Sequence, residues 1–280
     1  MKTKTPILLL ISLIGLLCVS CKQKTPATQT DEQKQIVSLS PNITETLFAI
    51  GADDLLVGVT SYCDYPVQAK EIECIGSIME PDIEKIISLS PSLVITTGTG
   101  LQKTFESRLS TLGIRCESVE VNRLEDVFTS IETLGNLTGR SERAAELSKA
   151  IASGLFQRPK AKAGRIMAVI QREPLIAAGK DTCIDSLIRI AGGENACPES
   201  GYPVINAESL ILMAPDIIIE TASITDFATD EQATAYYSLW LGTAKVYLAN
   251  RDVLSRPGPR VCEAVEIIEN IIGDSAGAAD

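Results

Sequence analysis

Residues 84–95 read EKIISLSPSLVI and residues 208–219 read ESLILMAPDIII. In both stretches a glutamate stands seven positions ahead of a proline, and apolar residues recur between them at helical spacing. A short β-branched run follows each proline. Proline stops a helix because it lacks an amide hydrogen and its ring collides with the preceding turn, and an uninterrupted apolar run of this kind suits a strand buried in a parallel sheet. Each stretch therefore predicts a helix followed by a strand, and the recurrence predicts two related α/β lobes. Glu84 and Glu208 each open a helix, where the helix dipole favours a carboxylate. From spacing alone they are either ordinary helix-start acids or a matched pair with a shared role.

Working outward, the N-terminus carries Lys2 and Lys4 ahead of an apolar run over residues 7–17, too short to span a bilayer comfortably. Residues 1–20 are thus predicted to be an export signal. The run ends at Cys18, Val19, Ser20 and Cys21, followed by polar Lys22, Gln23 and Lys24. This pattern resembles the lipobox of bacterial lipoproteins, in which the lipidated cysteine becomes the mature N-terminus, so Cys21 is the expected attachment point. It departs from that pattern in having Cys18, with Leu17 one step further back, where leucine is usual. An ordinary cleaved signal or an uncleaved anchor is the alternative. Residues 21–35, rich in Lys, Gln, Thr and Pro without apolar periodicity, have the composition of a flexible tether.

Acidic residues outnumber basic ones, 36 to 25, for a net charge of −11. No basic stripe interleaved with aromatics occurs, so nucleic acid is excluded as a partner and a cationic protein surface suits the body better. The chain has no histidine. That removes the usual general base, the common catalytic triads and His-rich metal sites. Six cysteines follow Cys21, and an oxidising compartment would permit pairing. Cys63 with Cys74 is the expected bridge, because both lie in a turn-rich stretch with a short intervening loop. Among Cys183, Cys197 and Cys262 one further pair is expected, with Cys197 to Cys262 preferred. Cys116 lies in a predicted strand and reads as a buried thiol. Among these six no CxxC spacing points to a metal.

The periodicities place an N-terminal lobe at residues 36–139, a connecting helix at 140–160 and a C-terminal lobe at 161–280. In the connector, residues 141–156 carry apolar side chains at helical spacing, an N-cap Ser141 and no proline before Pro159. A helix there is a stiff spacer, permitting limited hinge motion. In the first lobe, strands are predicted at 36–40, 55–60, 93–97 and 114–119, with helices beginning near Asn42 and at Leu101 and Leu124. Asn42 with Glu45 makes a capping-box-like start. Loops following parallel strands gather at the carboxyl edge of the sheet, where open α/β folds bind ligands. Tyr62, Cys63, Asp64 and Tyr65 form one such loop; Gly98, Thr99 and Gly100 form another, read as a plain turn rather than a phosphate cradle. Arg172, Asp252, Arg256 and Arg260 either hold an anionic ligand group or pair with the abundant acids. Trp240 reads as a packing residue.

Several segments together resemble a known family. IVSLSPNITETLFAIG at 36–51, VGVTSYCDYP at 57–66, DIEKIISLSPSLVI at 82–95, GKDTCIDSLIRIAGGEN at 179–195 and the stretch at 208–219 are similar to periplasmic binding proteins that serve cobalamin and ferric-siderophore ABC importers. The resemblance implies an α/β fold of two Rossmann-like lobes, each a parallel sheet flanked by helices, bridged by a single long helix. It also implies a shallow cleft between the lobes and small closure on binding. Glu84 and Glu208 stand at the acids by which this family docks onto permease arginines. Cleft positions carry over to Asn42, Tyr62, Gly98, Gly179, Asp252 and Arg256, joined by Asp64, Tyr65 and Arg172. Where cobalamin-binding members place tryptophans, this chain has Ile78 and Val253, which keep apolar contact without flat stacking. The expected ligand is cobalamin or a related corrinoid. A ferric siderophore facing Arg172, Arg256 and Arg260, or haem held by Tyr62 or Tyr65, is the alternative. The expected partners are an ABC permease and its ATPase, with the membrane reached through the lipid anchor. No resident cofactor, no metal, no catalysis and a monomeric state are implied. From a different class, a lipid-anchored enzyme using Asp64 or Asp252 would fit the same scaffold; a surface adhesin would bind no small molecule.

Overall fold

The computed structural model describes residues 34–98, 100–158, 163–221, 229–242 and 244–277. The expected export signal, Cys21 and most of the expected tether lie outside the described residues. Two tether residues do lie within them and are fastened to the body, Lys34 through Leu137 O and the Gln35 amide through Ser92 Oγ.

In the first half, β1 (Ile36–Ser38), β2 (Leu56–Val59), β3 (Leu93–Thr96) and β4 (Cys116–Ser118) form one parallel sheet in the order β2-β1-β3-β4. The helices that return the chain are α1 (Pro41–Ala49), α2 (Ile83–Ser88), α3 (Leu101–Thr111) and α4 (Leu124–Thr138). A single helix, α5 (Ser141–Phe156), then leads to the second half. Its flanking residue is Arg140, so Ser141 is the first helical residue and not the cap expected from the sequence. α4 and α5 pack closely because residue 135 is glycine; a Cβ there would stand 2.5 Å from that of Ala144.

The second sheet has β5 (Arg165–Gln171), β6 (Ile176–Ala177), β7 (Glu194–Asn195), β8 (Ile217–Glu220) and β9 (Lys245–Leu248). Its order is β6-β5-β8-β9, with β7 also pairing β5. Among the described strands all pairings are parallel except that of β6, a two-residue antiparallel edge strand. Five helices accompany these strands among the described residues: α6 (Cys183–Ile190), α7 (Ala207–Met213), α8 (Asp230–Tyr237), α9 (Arg251–Leu254) and α10 (Val261–Gly277).

Successive strand residues face opposite sides of a sheet, and this alternation builds three cores. Ile36, Leu93 and Ile95 of the first sheet, and Ile166, Ala168, Ile217 and Ile219 of the second, join one continuous apolar cluster. Leu47, Ile131, Leu155, Leu187 and Ile268 contribute to it from five helices. The opposite faces form separate outer cores, Val37 and Val94 with Ile75 and Ile86 in the first half, Met167 and Ile218 with Tyr237 in the second. The two lobes therefore share their largest core. Arg158, just beyond α5, adds charged ties to Glu266 and Glu269 of α10 at 2.8 and 2.5 Å.

All six described cysteines are free thiols, which corrects the expected bridges. Cys63 points inward, accepting a hydrogen bond from Thr44 Oγ1 at 3.2 Å beside Thr60, whereas Cys74 is exposed. Cys197 and Cys262 belong to cores on opposite sides of the second sheet. Cys183 is buried in the shared core, and desolvation there pushes its thiol up to about 12. Cys116 is half-buried on β4 rather than fully enclosed.

Candidate ligand cleft and docking surface

In the first sheet the connections leave in opposite directions from β1 and β3, and a crevice opens beyond their carboxyl ends, the place where open α/β sheets take ligands. Ser40 and Asn42 follow β1, Tyr62 follows β2 and Thr97 follows β3, and all four line a cleft of about 530 Å³. Asn122 borders it beyond β4, and Arg251, Asp252, Ser255 and Arg256 close it from the second lobe. Such a volume lies in the ordinary range of small-molecule sites. The Cys183 amide of α6 donates to Asn122 O at 2.8 Å, which fixes one lip of the cleft to the second lobe.

Local folding orients the polar lining. Ser40, not Asn42, is the flanking residue of α1, with Pro41 in its first turn. The Ser40 hydroxyl donates to Asn42 Oδ1 at 2.6 Å, which leaves the Asn42 amide hydrogens as donors for a ligand. Tyr62 is 54% exposed, and Ile78 and Met79 supply apolar wall.

Glu45 is not the cap partner suggested by spacing. It is buried at the centre of a charged cluster that joins the lobes. Arg260 donates to its two carboxylate oxygens through Nε and Nη2 at 2.8 and 2.7 Å, a bidentate fork. Arg256 lies 3.6 Å from the same carboxylate and also reaches Asp64 at 2.6 Å and Asp252 at 2.8 Å. The ring of Tyr65 lies 4.1 Å from the Arg260 guanidinium carbon, a cation–π contact. Three carboxylates thus surround two guanidinium groups. Burial pushes the Glu45 carboxyl above the usual range, opposed by the hydrogen bond and charge of Arg260 and then by Arg256. Asp64 moves the other way: partial burial raises it, but the Arg256 hydrogen bond and charge together outweigh this and hold it below the ordinary aspartate value.

The remaining sequence candidates lie elsewhere. Gly98 is buried behind Thr97, where a Cβ would meet Ser118 Oγ, and Thr99 is outside the described residues. Gly179 is absent from the cleft lining and is required by packing, since a Cβ would stand 2.0 Å from the Glu199 carbonyl oxygen. Arg172 is mostly covered within the second lobe, 3.7 Å from Glu220 and over the Tyr236 ring, while Tyr237 donates to Glu220 at 2.5 Å. Trp240 packs edge-on against Tyr236 and Tyr237. Val253 is buried in the shared core, so its side chain does not reach the cleft. Arg251, Met79 and Asn122 are lining residues that sequence reasoning missed; no motif marks them, because the fold alone brings them to the crevice.

On the outer surface, the repeated stretches adopt the same local structure. Asp82 caps α2 by accepting from the Lys85 amide at 3.0 Å, and Asn206 caps α7 by accepting from the Ser209 amide at 2.8 Å. Glu84 and Glu208 therefore occupy the same second helical position, and both are exposed. One turn on, Ile87 and Ile211 are also solvent-facing, 45% and 49% exposed. Immediately before each proline the backbone is left-handed, at Ser90 (φ 49°) and Ala214 (φ 41°). The repetition is thus one of backbone conformation as well as residue type.

A protein-family model described as periplasmic binding protein matches residues 36–237. The chain is 29% identical to the uncharacterized ABC transporter substrate-binding lipoprotein YvrC of Bacillus subtilis, over 87% of this chain and 82% of the relative. It is 27% identical to a vitamin B12-binding protein of Vibrio cholerae, covering 83% of this chain and 87% of that protein. Among solved structures it is similar to the periplasmic heme-binding protein RhuT from Roseiflexus sp. RS-1, with a TM-score of 0.73 and 23% identity. That match covers 87% of this chain and 99% of RhuT, and it speaks to the fold.

Proposed function

The chain belongs to the periplasmic binding protein family, and from that premise we propose that it captures a corrinoid, cobalamin or a close relative, in the interlobe cleft and delivers it to an ABC permease. The observation that carries the ligand class is the state of the arginines. Arg256 and Arg260 are committed to Glu45, Asp64 and Asp252, and Arg172 stands beside Glu220, so these cations are balanced within the protein. A strongly anionic chelate would have to compete with these carboxylates, of which Glu45 and Glu220 are buried. Apart from one phosphodiester, the corrin periphery consists of neutral amides that ask for uncharged donors and acceptors, and Ser40, Asn42, Tyr62, Asn122 and Ser255 supply them. The similarity to a vitamin B12-binding protein of Vibrio cholerae supports the same class.

The second reading, haem or a ferric siderophore, rests on Tyr62, whose exposed phenol lines the cleft and has the chemistry of a ferric ligand. Tyr65 is less suited, being stacked with Arg260. Equilibrium dialysis of the full chain in mild detergent against cobalamin, haem and a ferric catecholate in parallel separates these readings. Retention of cobalamin above the others is expected, and retention of haem or the catecholate alone overturns the corrinoid assignment.

In this reading Glu84 and Glu208 are the contacts to the permease, one on each lobe, supported by their shared helical position and exposure. Cys21 carries the lipid that holds the protein at the membrane, and residues 21–33 let the body reach the transporter. The protein works as a monomer with the permease and its ATPase. Asp252 in the cleft and Asp64 beside it hold Arg256 in place and perform no chemistry.

A further inference from the structure

Two cationic side chains line the cleft among the described residues, Arg251 and Arg256. Arg256 is saturated, with Glu45, Asp64 and Asp252 all within 3.6 Å. Arg251 is different: it is exposed, and no ion pair, hydrogen bond or ring contact joins its side chain to any described residue. In a chain with 36 acids to 25 bases, a cleft arginine left without a carboxylate stands out. Its nearest acid in sequence, Asp252, is already held by Arg256 at 2.8 Å.

The backbone beneath Arg251 is firmly held. The Asn250 side chain accepts from the Asp252 amide at 2.9 Å, Val253 and Leu254 are buried in the shared core, and the Ser255 amide donates to Arg251 O at 2.8 Å. The planar guanidinium carried by this base has the geometry to offer two N–H donors side by side to a phosphate or carboxylate oxygen pair. We propose that Arg251 is the anion-recognition residue of the cleft and, resting on the corrinoid reading above, that it takes the phosphodiester of the ligand's nucleotide loop. That phosphodiester is the one formal negative charge on the periphery of a corrinoid whose other side chains are amides. Arg251 thereby distinguishes complete corrinoids from those lacking the nucleotide loop.

The test is calorimetry of the full chain in mild detergent, wild type and Arg251→Gln, with cyanocobalamin and with dicyanocobinamide, which has no phosphodiester. Loss of one charge-assisted contact is expected to weaken cyanocobalamin binding about tenfold in the variant. Dicyanocobinamide binding is expected to stay within about twofold, and this also reports that the variant is folded. Equal weakening of both ligands, or of neither, overturns the proposal while leaving the corrinoid reading intact. Binding of neither ligand by the wild type overturns that reading, and the role of Arg251 with it.

Discussion

Glu45 and Asp64 share Arg256, yet their carboxyls move in opposite directions, because one is buried and the other reaches solvent. Removing the buried partner leaves Arg260 enclosed without its counter-ion, so Glu45→Ala is expected to lower stability by about 3–5 kcal/mol in urea unfolding. A loss under about 1 kcal/mol would show the pair to be dispensable. For Asp64 the sign follows from its depressed value. Its contribution is present above the unfolded value near 3.8 and is lost as pH falls through the lower folded value. The stability gap between wild type and Asp64→Asn should therefore close on acidification, and a gap that widens in acid would contradict this assignment. The roles of single residues were the least legible part of the sequence. The spacing of Asn42 and Glu45 suggests a capping box, but Ser40 flanks the helix and Glu45 turns toward Arg260, more than 200 positions away in the chain. Side-chain direction, which spacing does not encode, likewise separates Cys63 from Cys74.

Elements were far more legible, since periodicity and proline stops act locally. The helix expected at 141–156 is observed as Ser141–Phe156, and the strand expected at 93–97 as Leu93–Thr96. The short strand β7, Glu194–Asn195, was not resolved, because two residues cannot display alternation. At this scale the repeated helices make a direct prediction. Reversing both exposed charges, Glu84→Lys with Glu208→Lys, should abolish ligand uptake through the permease reconstituted in proteoliposomes and leave ligand affinity of the free protein unchanged. Uptake at the wild-type rate would remove the docking role from these helices. Gly179 makes a packing prediction instead. A Cβ at that position collides with the Glu199 carbonyl, so Gly179→Ala is expected to cost about 1–3 kcal/mol of stability, read as a lowered urea midpoint.

Across the whole molecule, the shared core and the Glu45 cluster hold the two lobes together before any ligand arrives. The sequence suggested two lobes and a stiff connector; it did not show that one face of each sheet would feed a common core, since that depends on how the halves pack. The same packing places Arg251, Asp252 and Arg256 opposite Asn42 and Tyr62, residues no local pattern would group. Under the proposed function, a cleft assembled this way is expected to select by shape and a few polar contacts, with little closure. The most direct test of this account is calorimetric titration of the full chain in mild detergent with cobalamin. One ligand per chain with a dissociation constant below about 1 μM is the expected result. Absence of binding at ligand concentrations of about 1 mM would contradict the corrinoid assignment.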